Sequence, residues 1–109
     1  MNELYEQAET LQNLMVSHAT GSRESDFEFG RLRQVLVSNT ATEALTPRFV
    51  RTCRNLSQFW EFIKHEFATY AERRRYIYGE FTPLLDVLEK GDLSPFDGEL
   101  TESLQSFDA

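Results

Sequence analysis

The sequence marks the start of a helix again and again. At Ser25–Glu28, Thr40–Glu43, Asn55–Gln58 and Thr69–Glu72 a short polar side chain is followed three residues later by Glu or Gln. In that spacing the first side chain accepts a free backbone N–H and the second can reach back, so donors that a helix start leaves open are satisfied. The chain has only five glycines and three prolines, and β-branched alternation is nearly absent. These features constrain the chain to an all-α fold.

Apolar spacing supplies the faces of these helices. From Asn2 to Ser17, Leu4, Ala8, Leu11 and Met15 recur at helical intervals with Leu14 beside them, while Glu3, Glu6, Gln7, Glu9 and Gln12 take the other face. The acids lie near the N-terminus, where the helix dipole favours them. Thr20-Gly21-Ser22 ends this segment. A second helix opens at Ser25, carries Phe29, Leu32, Val35 and Leu36, and stops at Ser38-Asn39. Two short pieces follow. Thr40 opens one, and Thr46 caps the other ahead of Pro47, with Phe49, Val50 and Cys53 facing inward.

The most aromatic stretch begins after Asn55. Leu56, Phe59, Trp60, Ile63 and Phe67 share one stripe, with Phe62 beside it. Thr69 opens a last long helix with Tyr70, Ile77, Phe81, Leu84 and Leu88 inward, and places Arg74 against the core edge, within reach of Glu61 or Glu66. Pro83 falls inside that pattern, so either the helix kinks or Thr82 caps a fresh one. Lys90-Gly91 is a stop. Residues 1–91 therefore read as one helical domain. Residues 92–109 read as an acidic tail or linker, in which Ser94-Pro95 can open a short helix with Phe96, Leu100, Leu104 and Phe107 in register. A chain of 109 residues suits one domain with a core that needs neither disulfide nor metal. The expected architecture is a compact, orthogonally packed bundle of about five or six helices around an aromatic core.

The sequence offers little for catalysis. The one cysteine, Cys53, lies among Phe49, Val50 and Leu56 and reads as a buried small hydrophobe. His18 and His65 have no second ligand at metal spacing, and no nucleophile elbow, phosphate loop or dinucleotide fingerprint is present. No enzymatic activity, cofactor, metal or small-molecule substrate is expected. The apolar stretches are too short to span a membrane and the acidic start lacks a signal pattern, which points to the cytoplasm.

Charge is unevenly spread. Residues 1–22 carry Glu3, Glu6 and Glu9 and no basic side chain; residues 23–75 carry ten basic against seven acidic; residues 76–109 carry Lys90 against eight acidic. The net charge of −7 argues against non-specific binding to nucleic acid or anionic lipid. Within the basic middle, Arg48, Arg51 and Arg54 recur every three residues as a ridge, and Arg73-Arg74-Arg75 opens the last helix. Arg48, Arg51, Arg54, Arg73 and Arg75 are the candidate partner-binding residues. They suit an effector domain or a second copy of the chain, or, as an alternative, RNA phosphate. Intradomain pairing with the many Glu side chains competes with both readings and outweighs them on net charge.

The run from Phe27 to Leu88 resembles a known family. The carriers are Leu45-Thr46-Pro47-Arg48-Phe49-Val50-Arg51-Thr52-Cys53-Arg54-Asn55-Leu56, Phe59-Trp60-Glu61-Phe62-Ile63-Lys64, Tyr70-Ala71-Glu72-Arg73-Arg74, Phe81-Thr82-Pro83-Leu84-Leu85 and Leu88-Glu89. This pattern resembles the N-terminal helical region of bacterial abortive-infection proteins, in which a HEPN-type helical domain follows. The resemblance implies a regulatory or oligomerisation domain in phage defence, with Ser106 to Ala109 as the junction to an effector. It does not carry nuclease activity over. That motif sets an Arg shortly before a His, whereas Arg54 is eleven residues before His65 and no Arg precedes His18.

Overall fold

Six helices form among residues 3–90, the residues described by the computed structural model: α1 (Glu3–Ala19), α2 (Asp26–Val37), α3 (Thr40–Glu43), α4 (Arg48–Thr52), α5 (Leu56–Glu66) and α6 (Tyr70–Lys90). No strand occurs among the described residues. The proposed tail, 92–109, and Gly91 lie outside them.

Local chemistry sets most helix ends. The Ser22 N–H donates to the Ser17 carbonyl at 2.9 Å and the Gly21 N–H to that of His18 at 3.5 Å, the two bonds of a Schellman stop. Gly21 sits at φ 111°, and a Cβ there would lie 3.0 Å from the Tyr70 hydroxyl. The backbone therefore demands glycine, and an added Cβ would also press on the tip of the Tyr70 side chain. Ser25 accepts the Glu28 N–H at 3.2 Å, and Asn55 accepts the Gln58 N–H at 2.9 Å. At α6 the box closes in both directions. The Glu72 N–H donates to the Thr69 hydroxyl and the Thr69 N–H to the Glu72 carboxylate, each at 3.2 Å. Asp26 reaches further and accepts the Leu56 N–H at 2.8 Å, tying the start of α2 to the start of α5.

Two starts differ from the sequence expectation by one residue. Asn39, not Thr40, caps α3 by accepting the Ala41 N–H at 2.8 Å. Pro47, not Thr46, stands at the cap of α4. The causes lie close in sequence: Asn39 itself supplies the cap of α3, and the neighbouring threonine hydroxyls turn back to carbonyls four and six residues earlier. The buried Thr42 hydroxyl donates to the Leu36 carbonyl at 2.7 Å, and the buried Thr46 hydroxyl donates to Thr42 at 2.8 Å. Pro83 neither ends α6 nor yields it to a new helix capped by Thr82; α6 runs through, and the Thr82 hydroxyl donates back to the Tyr78 carbonyl at 2.8 Å. The carbonyl that a proline at this position would crowd belongs to Gly79.

The long helices α1 and α6 form an antiparallel pair. Arg73, near the start of α6, bonds to Ala19 at the end of α1, while Tyr5 near the other end feels the charges of Asp86 and Glu89. Ala8, Leu11, Met15 and Ala19 of α1 are buried, as are Ile77, Phe81, Leu84 and Leu88 of α6. Phe29, Leu32 and Leu36 of α2 and Leu56, Phe59 and Ile63 of α5 complete the core. Gln12, assigned to the polar face, is buried, whereas Tyr70, assigned inward, is 49% exposed. Tyr70 begins α6, where its ring lies 5.5 Å from the Arg73 guanidinium. None of the described helices is long and apolar enough to cross a membrane.

Two substitutions test this packing. Phe59→Ala, at a fully buried ring, should cost about 3–5 kcal/mol in urea denaturation. Pro83→Ala restores an N–H in mid-helix and should raise stability by about 1–3 kcal/mol. A loss at Pro83→Ala would mean that the proline holds a bend that packing requires.

Candidate interaction surface

The helix that carries two of the candidate arginines is only five residues long. A helix this short gains little from its own hydrogen bonds and must be held from outside. Phe49 and Val50 anchor it in the core, and Cys53 is buried just beyond its end. Its last carbonyls are held by Arg33 of α2. Nε donates to Val50 at 2.8 Å and Nη2 to Arg51 at 2.7 Å. Arg33 is thus a fixed cap for the negative end of a helix. Burial pushes the Cys53 thiol above its ordinary value, partly offset by Thr52 and the Arg33 charge, so the group stays a protonated core side chain.

The candidate arginines separate into different environments. Arg48 and Arg51 are exposed on α4, one turn apart. Arg54 is exposed but follows the helix end, so the expected ridge is two residues long rather than three. Arg75 is exposed on α6. Arg73 is only 7% exposed. Its Nε donates to the Phe67 carbonyl at 3.0 Å and its Nη1 to the Ala19 carbonyl at 3.1 Å. Its guanidinium also lies 5.3 Å from the Trp60 ring. This corrects two expectations: Arg73, not Arg74, meets the core, and its partners are carbonyls, not Glu61 or Glu66. Arg73 stands one helical turn before the buried Ile77, whereas Arg74 is turned to solvent. A side chain so engaged holds the fold and is not free to grip a partner.

Intradomain pairing does not absorb the others. Among the described residues the ion pairs are Arg31–Glu28 at 2.6 Å and Lys64–Glu61 at 3.2 Å, with the His65 ring 3.9 Å from the Glu61 carboxylate. Arg48, Arg51, Arg54, Arg74 and Arg75 take no part in them. Among the described residues their charges meet no carboxylate, contrary to the balance struck on composition.

Beside Arg48 the surface opens into a groove of about 440 Å³, lined by Arg48, Phe49 and Thr52 of α4, Phe62 of α5 and Tyr76 of α6. Phe49 forms its floor, with ring centroids 6.2 Å from Phe62, nearly parallel, and 5.7 Å from Tyr76. Burial, with the charges of Glu80 and Glu66, holds the Tyr76 phenol above its ordinary value, and Arg48 opposes the shift. Arg48 thus gives the lining its cation, and the floor is aromatic. Sequence reading missed Phe62 and Tyr76 as a pair. The available signal was that each flanks its helix's inward stripe, so that each helix has more aromatic width than one neighbour covers.

No cluster of three or more His, Cys, Asp or Glu side chains among the described residues is placed to hold a metal ion. His65 is an exposed side chain, its Nδ1 2.6 Å from the Glu61 carbonyl. No protein-family model, curated protein or solved structure matches the chain.

The two classes of arginine predict opposite behaviour. Arg73→Met should cost about 2–4 kcal/mol in chemical denaturation, because two carbonyls lose a charged donor. Arg73→Lys should recover less than half of that, since an ammonium lacks the planar fork. Arg48→Ala should stay within about 0.5 kcal/mol of the parent. Equal losses at the two positions would refute the division.

Proposed function

We propose that this domain is a non-catalytic interaction module that receives a partner protein in the groove between α4, α5 and α6, with Arg48 and Arg51 as its cationic contacts. One observation carries the reading. Unpaired arginines stand on a short helix that Arg33 fixes in place, directly beside a cleft floored by aromatic rings. Aromatic floors with an arginine at the rim suit a partner that inserts an apolar side chain and presents a carboxylate next to it. Pre-organisation adds to this, because the arginines sit on a fixed element and less freedom is lost on binding. Arg54 and Arg75 belong to the surrounding surface, and Arg73 acts indirectly, by holding α6 in place.

If the resemblance of Phe27 to Leu88 to abortive-infection proteins reflects kinship, this module would belong to phage defence. There it would sense a trigger or oligomerise, and so control a downstream effector domain. The unpaired state of Arg48, Arg51 and Arg54 also favours a second reading, in which the same residues grip RNA phosphate.

The experiment is Arg48→Glu with Arg51→Glu in the intact protein. Partner binding should weaken by roughly 10- to 100-fold, and phage protection should fall with it while circular dichroism stays unchanged. Full protection by a folded double variant would remove this surface from the mechanism. The RNA reading requires retention on RNA at low salt with a steep loss as salt rises. Absence of such retention eliminates it.

A further inference from the structure

Another concave region among the described residues is bounded by His18, Gly21, Ser22, Arg23 and Trp60. His18 stands in the last turn of α1. Its ring meets Trp60 edge-on, centroids 6.2 Å apart at 85°, and tilts against Phe59 at 6.5 Å. Its Nδ1 is shut off from solvent and has no hydrogen-bond partner. Buried ring nitrogens are normally paired, so an unpaired one marks a strained or switchable position. Neutral imidazole tolerates this site by placing an unprotonated nitrogen there. Imidazolium cannot, because both of its nitrogens are donors.

We propose that the contact between His18 and Trp60 is an acid-sensitive latch: protonation of His18 loosens the end of α1 from α5 and widens the cleft along Gly21, Ser22 and Arg23. Charged groups approach from several sides. Arg23 and Glu24 come from the α1–α2 loop, Asp26 from α2, and Arg73 from α6 through the shared Trp60 ring. Arg73 already occupies that indole as a cation, so a second cation gains less from the ring. Asp26 is held by the Leu56 N–H and cannot swing to Nδ1 without releasing the start of α5. Burial lowers the His18 pKa from its ordinary 6.5, and Glu24 and Asp26 offset part of that shift.

The sign follows. A lowered pKa in the closed form means that the open form binds the proton more tightly. The latch is therefore fully stable above the ordinary value of 6.5, weakens as pH falls below it, and is lost once pH passes the lowered pKa. Between those two limits the open-to-closed ratio rises by up to roughly tenfold per pH unit.

Trp60 is the one tryptophan and reports the latch directly. In the full chain its emission should change reversibly on acidification, with a midpoint below 6.5. His18→Gln should abolish that change and His65→Gln should leave it in place. A second measurement on the unaltered chain avoids dependence on either variant. The His18 ring protons followed by nuclear magnetic resonance should titrate below 6.5, and the protection of the Thr20 and Ser22 amides should fall across the same midpoint. A pH-independent Trp60 signal, a transition that survives His18→Gln, or amide protection that stays constant while His18 titrates would each overturn the latch.

Discussion

Two arginines that meet no carboxylate hold this fold together by capping the carbonyl ends of helices. Arg73 donates to Ala19, the last residue of α1, and to Phe67, the C-cap of α5. Arg33 donates to Val50 and Arg51 at the end of α4. Helix ends leave carbonyls without partners, and those that face the interior need a donor. They also carry the negative pole of the helix dipole, which suits a cation. A guanidinium reaches two carbonyls at once with its planar fork. Thus three helix ends are satisfied by two side chains, which tie α6 to α1 and to the end of α5, and α2 to α4, around the shared apolar core.

The groove is a consequence of that arrangement. Its three walls come from α4, α5 and α6, and the two capping arginines belong to the set of contacts that keeps those walls apart and in register. Phe49 joins the core to the groove floor: it lies 5.7 Å from Phe59 on one side and beside Phe62 and Tyr76 on the other. A partner entering there would touch side chains that already bear on the core. Arg48 at the rim has no such internal duty, which is why a change there is expected to alter binding and spare stability.

Much of the fold was legible because its signals are local. Ser25, Asn55 and Thr69 cap helices from within their own first turn, and Gly21 stops α1 through its own backbone. The starts at Thr40 and Thr46 were misplaced by one residue because Asn39 competes with Thr40 as a cap and the Thr46 hydroxyl turns back to the Thr42 carbonyl one turn earlier. The arginines answer to more distant partners. Consecutive helical residues point in different directions, but which of Arg73, Arg74 and Arg75 turns inward depends on the carbonyl of Ala19, 54 residues away in sequence. The groove was illegible for that reason too, since Arg48, Phe62 and Tyr76 belong to three different helices.

The guanidinium Nε–H signals give the most direct measurement of the central claim. In a nitrogen-15 spectrum at neutral pH, Arg33 and Arg73 should show sharp, slowly exchanging Nε–H resonances, with through-bond coupling to the carbonyl carbons of Val50 and Phe67 respectively. Arg48 and Arg51 should exchange rapidly with water. Arg73 and Arg33 exchanging as fast as Arg48 would contradict the account, because the helix ends would then be held by something other than these two side chains.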